Sequence, residues 1–300
     1  MLAALRFSSP EREALRRLSK PEWEQALDFS DRTQLTLALG LTCREALPEW
    51  VRSRIDADQA NNTLRWSKVK EAYLEAASVF HAAGLDFAVL KGFSHCPRFM
   101  ADPRHRYQAD IDLLFPASQL LRARDAALRL GYEPIVPFDR HPMNHLPTLI
   151  RKTGFRWRGA HFDPEIPVAL EVHFQVWNEE TERFGAEGLE QFWERRQDAE
   201  VDGIRFVALH PADAIANAAL HLLRHLLRGS LRPFHVYEIA WMLHHSASDE
   251  SLWSAWSDLH GGSLRRLEAI CFSMARHWFD CRMPDAARQA VEDLPPDLSR

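Results

Sequence analysis

The sequence predicts an α+β fold in which a small central sheet is flanked by helices on both sides in sequence. Three observations predict it. Apolar residues recur at three- and four-residue steps before residue 83 and after residue 209. Phe87-Ala88-Val89-Leu90 is a short, wholly apolar run suited to a buried strand. From Asp110 the period changes to two, with Ile111, Leu113 and Phe115 alternating with Asp110, Asp112 and Leu114. The chain divides accordingly into an N-terminal helical region (1–83), a sheet-containing core (84–208) and a C-terminal helical region (209–300).

Taken in order, Ser9-Pro10-Glu11 carries an N-cap, a proline at N1 and an acid in the first turn, which predicts a helix start. Further helices are expected over 21–29, 32–40 and 48–55. The clearest covers 62–82, where Trp66, Val69, Tyr73, Ala76, Ala77 and Phe80 form one apolar stripe. Gly84 ends it, and the strand at 87–90 follows. After the strand at 111–115, a helix over 118–130 stops at Gly131. The segment 132–163 reads as loop, with a basic cluster at Arg151, Lys152, Arg156 and Arg158. A third strand is expected over 167–176, with Glu171, His173 and Gln175 on one face. A short strand pair is expected around 201–207, then helices from Pro211 and over 233–244, 251–260 and 263–279. The tail from Pro284 to Arg300 reads as weakly ordered.

Composition bounds the function. The 300-residue chain is 46% hydrophobic and 26% charged, enough to fold around one large core or two modest ones. A formal charge of −5 and a pI near 6.3 exclude a protein that coats nucleic acid by charge alone. Cys43, Cys96, Cys271 and Cys281 show no paired spacing, so no disulfide framework or cysteine zinc site is indicated. The N-terminus meets Arg6 before any long apolar run, so neither a signal peptide nor a membrane span is expected, and the protein reads as cytoplasmic.

Chemistry concentrates in Leu90-Lys91-Gly92-Phe93-Ser94 and in Arg106-Tyr107-Gln108-Ala109-Asp110-Ile111-Asp112. Two acids one residue apart on a strand share a face about 6.6 Å apart at Cα. Mg²⁺ takes oxygen ligands from one or two carboxylates plus substrate phosphates, so Asp110 and Asp112 make half a site. With Glu171 on an adjacent strand, a second ion about 3.5–4 Å from the first can be held. Gly92 lets the backbone approach a phosphate, Ser94 offers a hydroxyl, and Lys91, Arg98, Arg104 and Arg106 offer positive charge. Against this, an Asp-x-Asp pair at a strand edge is most often solvated surface and a Lys-Gly after a strand is usually a turn. Acids followed by Leu113-Leu114-Phe115 sit on a strand that wants burial, however, and charge there needs a partner. His173 reads equally as a group ordering Glu171 and as a structural hydrogen bonder.

The histidines carry a competing reading. His221 and His225 are four apart on a predicted helix, a spacing that lets two imidazoles share a zinc ion, and His244-His245 and His141/His145 add candidates. Leu222, Leu223, Leu226 and Leu227 favour a helix buried on much of its circumference instead. Trp157, Trp177, Trp193, Trp241, Trp253 and Trp256 read as packing residues rather than a stacking platform for nucleic acid.

The run Val89-Leu90-Lys91-Gly92, Arg106 four residues before Asp110-Ile111-Asp112-Leu113-Leu114, the helix ending at Gly131-Tyr132, and Leu170-Glu171-Val172-His173-Phe174 together resemble bacterial nucleotidyltransferases of the polymerase-β superfamily. The resemblance spans roughly 35–256. It implies a small mixed sheet forming a nucleotidyltransferase core, two Mg²⁺ ions, and transfer of a nucleoside monophosphate from an NTP such as ATP to an acceptor with release of pyrophosphate. It matches Asp110 and Asp112 to the paired metal ligands, Glu171 to the third carboxylate, Gly92 and Ser94 to the nucleotide-binding turn, and Lys91 and Arg106 to the group's own motif. Gly92-Phe93 replaces the usual Gly-Ser or Gly-Gly pair, and Glu171 stands where many members have Asp.

Three functions follow as expectations. The first is a Mg²⁺-dependent nucleotidyltransferase in which Glu171 also helps deprotonate the acceptor, an unidentified peptide, protein or small molecule selected by 134–163 and the C-terminal helices. The second is a non-catalytic nucleotide-binding or antitoxin-like module on the same fold. The third is a zinc hydrolase built on His221 and His225.

Overall fold

A computed structural model describes residues 1–138 and 144–298. His141, one of the candidate zinc ligands, lies outside the described residues. The chain begins with α1 (Glu13–Arg16), α2 (Lys20–Arg32), α3 (Thr36–Cys43) and the long α4 (Glu49–Ala82). Strands β1 (Ala88–Val89) and β2 (Asp110–Leu114) precede α5 (Leu120–Arg129), and β3 (Glu133–Pro134), β4 (Leu149–Ile150) and β5 (Ala169–His173) follow it. After α6 (Glu179–Glu182) comes the hairpin of β6 (Gln197–Val201) and β7 (Ile204–Ala208). The rest is helical: α7 (Pro211–Leu227), α8 (Pro233–Ser246), α9 (Glu250–Leu259), α10 (Gly262–Phe279) and α11 (Asp285–Glu292). The architecture is α+β, with helices on both sides of the strands in sequence, as predicted.

The contacts divide the chain into two compact units: Met1–Ala60 with Ala186–Gly188 and Pro211–Arg300, and Asn61–Gly185 with Leu189–His210. The second contains a mixed sheet of strand order β3-β4-β5-β2-β1-β7-β6. The pairs β2–β5 and β1–β7 are parallel and the others antiparallel. The stripe read from the sequence, Trp66 through Phe80, packs with Ile111, Leu113, Leu170, Val172 and Phe206 in one core. Period-2 alternation therefore sends Ile111 and Leu113 inward and leaves Asp110 and Asp112 on the opposite sheet face. Phe93, the odd residue of the Gly92-Phe93 pair, is part of this core, its ring 5.1 Å from Tyr73 and 5.0 Å from Phe206.

In the helical unit, Ser19 and Glu22 close a capping box at the start of α2. A buried ionic group holds α7, α10 and the end of α9. His260 Nε2 lies 3.0 Å from Asp213 Oδ1 and its Nδ1 3.0 Å from Glu268 Oε2, while Trp256 Nε1 donates to Glu268 at 2.8 Å.

Several expectations are corrected. Ser9 does not cap a helix: its hydroxyl donates to Asp280, and the first α-helix starts only at Glu13. The helices expected at 48–55 and 62–82 are one, because 56–61 contains no glycine or proline to end it. The helix expected from Arg32 starts at Thr36, since Gln34 turns left-handed at φ 62° and breaks the run. The supposed loop 132–163 supplies β3 and β4, each too short to show a period. The tail forms α11, anchored by buried Ala287 and Val291. Gln175 lies beyond β5. Trp157 is 54% exposed, and Leu226 and Leu227 are exposed rather than packed. All four cysteines are buried and none of them is in a disulfide. Among the described residues, no helix is long and apolar enough to cross a membrane.

Candidate active site

The parallel register of β2 and β5 builds the site. Asp112 is the Cα partner of Glu171, Asp110 of Ala169 and Leu114 of His173. Neighbouring strands are about 4.8 Å apart and paired side chains point to the same face. The Asp112, Glu171 and His173 side chains accordingly converge, with one potential ligand atom from each lying within 4.8 Å of the others.

The charges interlock. Lys91, just past β1, places Nζ 2.9 Å from Asp112 Oδ1, and His173 Nε2 is 3.0 Å from the same oxygen and 3.4 Å from Glu171 Oε2. Thr148 donates its hydroxyl to Glu171 Oε1 at 2.8 Å. Asn144 lies 3.1 Å from His173 Nδ1. If the Asn144 amide donates, the neutral ring carries its proton on Nε2; if the amide is turned so that its oxygen accepts, the ring is imidazolium. In both of these states Nε2–H points at the carboxylates, and His173 donates to the acids. His145 forms a β-bridge with His173, their rings 4.9 Å apart.

Burial raises the carboxyl of Asp110 to about 6, and the neighbouring Asp112 charge adds to it against Lys91. Burial acts on Asp112 too, but the Lys91 ammonium and the His173 hydrogen bond outweigh it and hold Asp112 well below the usual carboxylate range. Glu171 is likewise lowered, burial being overcome by its hydrogen bond to His173. Burial would lower His173 and Lys91, yet hydrogen bonds and charges from the acids leave both raised. Three acids, Asp112 buried and Asp110 and Glu171 half-buried, thus meet Lys91 and His173 with too little positive charge to hold Asp110 at its ordinary carboxylate value.

The turn that follows Lys91 is held by a residue the sequence did not single out. Gly92 has φ +70°, and a Cβ there would collide with the Gln108 side chain. Gln108 Oε1 accepts from Phe93 N at 3.1 Å and its Nε2 donates to Asp110 O at 2.7 Å. Gly92 is required by Gln108 and by its own backbone. Ser94 Oγ donates to Lys91 O at 3.2 Å, closing the turn. Arg106 is half-buried, donates to Tyr107 O at 3.3 Å, and with Lys91 opposes the rise at Asp110. A second missed residue, Arg65 of α4, is 1% exposed. Its guanidinium donates to Gln108 O and Ala109 O at 2.9 Å, to Pro167 O at 3.3 Å and to Ile166 O. It ties the chain entering β2 to the chain entering β5.

This donor set suits a hard divalent cation. Two oxygens at about 2.1 Å from one Mg²⁺ are at most about 4.2 Å apart, and the ligand atoms of Asp112 and Glu171 lie within 4.8 Å of each other. Added positive charge would also offset the deficit that raises Asp110. Asp112 and Glu171, whose ligand atoms converge, could hold it; Asp110 lies on the same sheet face but is not part of that converging group.

No curated protein matches the chain. In the solved structures, an antigenic nucleotidyltransferase-like protein from Paracoccidioides brasiliensis aligns at 16% identity over 75% of this chain and 95% of that one, with a TM-score of 0.34. The family described as uncharacterised nucleotidyltransferase matches residues 19–280, which include both strands of the acidic site, all of the sheet-containing unit and most of the helical one. Over most of its length, then, the chain belongs to that nucleotidyltransferase family.

Proposed function

We propose that the chain is a Mg²⁺-dependent, cytoplasmic nucleotidyltransferase that moves a nucleoside monophosphate from an NTP to a peptide, protein or small-molecule acceptor. The observation that carries this reading is the Asp112–Glu171 register, which brings acids from two strands together on a buried face beside Asp110. In the reaction an acceptor oxygen bonds to the α-phosphorus, the bond to the β-phosphate oxygen breaks, and pyrophosphate leaves with those electrons. Bound Mg²⁺, with two ions expected, would supply charge stabilisation at the attacking and leaving oxygens.

The chain's own residues have distinct tasks. Asp110, Asp112 and Glu171 hold the cation site, and Glu171, supported by Thr148, receives the acceptor proton. His173 holds Asp112 and Glu171 in place through Nε2–H. Lys91 neutralises Asp112 in the metal-free chain and, relieved of that charge, presents its ammonium to the triphosphate. Arg106 adds positive charge, and the Gly92–Ser94 turn brings backbone close to the phosphates.

The test is incubation with mixed NTPs, Mg²⁺ and cell extract. Pyrophosphate is measured, and mass spectrometry seeks a molecule that has gained a nucleotide. Pyrophosphate release that requires Mg²⁺ and falls at least about 10³-fold in Asp112→Asn, with circular dichroism unchanged, is expected. NTP binding without turnover would instead indicate a non-catalytic nucleotide-binding module, and turnover indifferent to Asp112→Asn would overturn the proposed site.

A further inference from the structure

His221 and His225 of α7 are joined by a third imidazole, His235, from the first turn of α8. One ring nitrogen from each lies within 4.8 Å of the others. The ring centroids form a triangle with sides of 4.5, 4.8 and 4.4 Å. His221 and His225 are half-buried and His235 is buried, so the group has a solvent-facing side for entry and a packed side for rigidity.

The second nitrogen of His225 shows which way its lone pair points. Ser230 Oγ donates to His225 O at 3.4 Å, leaving the hydroxyl oxygen to accept from His225 Nδ1–H at 2.9 Å. The neutral ring then carries its lone pair on Nε2, which lies 3.1 Å from His221 Nε2. Two nitrogens bound at about 2.0–2.1 Å to one tetrahedral ion are separated by about 3.3 Å. The pair already has nearly that spacing, and an orienting hydrogen bond on the far nitrogen is the usual support of a metal-bound histidine.

We propose that His221, His225 and His235 bind a divalent transition-metal ion of the zinc class, with water completing a four-coordinate site that pins the α7–α8 connection. Three imidazoles and no thiolate favour Zn²⁺ and its borderline neighbours over Mg²⁺, which prefers oxygen ligands. The site involves none of the acids of the proposed nucleotidyl-transfer centre, and no hydrolytic step is assigned to it.

The full-length chain, stripped with chelator and dialysed against micromolar Zn²⁺, is expected to retain about one zinc per chain by elemental analysis. The same content is expected in Asp112→Asn/Glu171→Gln, which removes the competing acidic ligands. His221→Gln and His235→Gln are expected to retain less than a tenth as much, and Ser230→Ala to bind about 10- to 100-fold more weakly. Zinc content that is negligible in the unmodified chain, or unchanged in the histidine variants, would overturn the proposal. If those variants fail to fold, Co²⁺ added to the unmodified chain decides: intense visible bands of a four-coordinate ion support the site, and the weak bands of a six-coordinate ion overturn it.

Discussion

Lys91 Nζ and Asp112 Oδ1 form a 2.9 Å ion pair in which both side chains are largely shielded from solvent, 13% and 2% exposed. The same carboxylate oxygen also faces His173 Nε2. Removing one partner of a buried pair leaves the other charge uncompensated, typically at a cost of about 3–5 kcal/mol. Lys91→Met is therefore expected to destabilise the metal-free chain by that order in denaturant titration. Lys91→Met/Asp112→Asn should recover much of the loss, because the orphaned charge is gone. Mg²⁺ should stabilise Lys91→Met more than the unmodified chain, since a cation then replaces the missing ammonium. An additive double variant, or equal stabilisation by Mg²⁺, would show that the pair is not energetically coupled.

Gly92 and Gln108 set the turn beside that pair. At φ +70° an alanine is strained by about 1–3 kcal/mol, and its Cβ would also displace the amide that bridges Phe93 N and Asp110 O. Gly92→Ala is expected to lower the melting temperature and to impair nucleotide binding. In Gly92→Ala/Gln108→Ala the clash disappears but the backbone strain and the lost bridge remain. The double variant should therefore stay less stable than the native chain, and its return to native stability would refute this account.

How much of this was legible depended on the range of each interaction. Alternation over Asp110–Phe115 was visible because both faces of a strand appear within a few residues, and the Trp66–Phe80 stripe was visible for the corresponding helical reason. The two-residue strands β3 and β4 hold too few residues to show any period. Gln108 and Arg65 looked like ordinary polar residues because their partners are backbone atoms brought together only by folding. Glu171 could be read as facing away from its strand's apolar side. The parallel register that pairs it with Asp112 is a tertiary fact that neither strand encodes alone. His235 had no periodic link to His221 and His225, since it comes from the next helix.

The buried His260–Asp213–Glu268 group gives stability a pH dependence with a defined sign. Burial would lower His260, but the hydrogen bonds it donates to the Asp213 and Glu268 carboxylates raise it from its ordinary 6.5 to about 9. Because the folded-state value is above the unfolded one, its stabilisation is fully present below about pH 6.5 and is lost as pH rises through about 9. A shift of that size corresponds to roughly 3 kcal/mol. Unfolding free energy is expected to fall between pH 6.5 and 9, and His260→Gln should flatten that slope while destabilising the protein at neutral pH. An unchanged slope in the variant would assign the dependence to other groups.

Arg65 offers a test of how the acidic site is kept in register. Its guanidinium reaches carbonyls of Gln108 and Ala109 ahead of β2 and of Ile166 and Pro167 ahead of β5. A buried acceptor left without a donor costs about 1–3 kcal/mol, and a lysine cannot reproduce a planar fork that serves several carbonyls. Both Arg65→Met and Arg65→Lys are therefore expected to destabilise the chain by at least about 2 kcal/mol. Amide exchange should accelerate at the starts of β2 and β5, which its hydrogen bonds hold, before it does in β6 and β7. Because the same contacts hold Asp112 opposite Glu171, Mg²⁺ affinity should also fall in both variants although no acid is altered. Uniform acceleration across the sheet, or unchanged Mg²⁺ affinity, would make Arg65 a general packing residue rather than the clamp that aligns the two acidic strands.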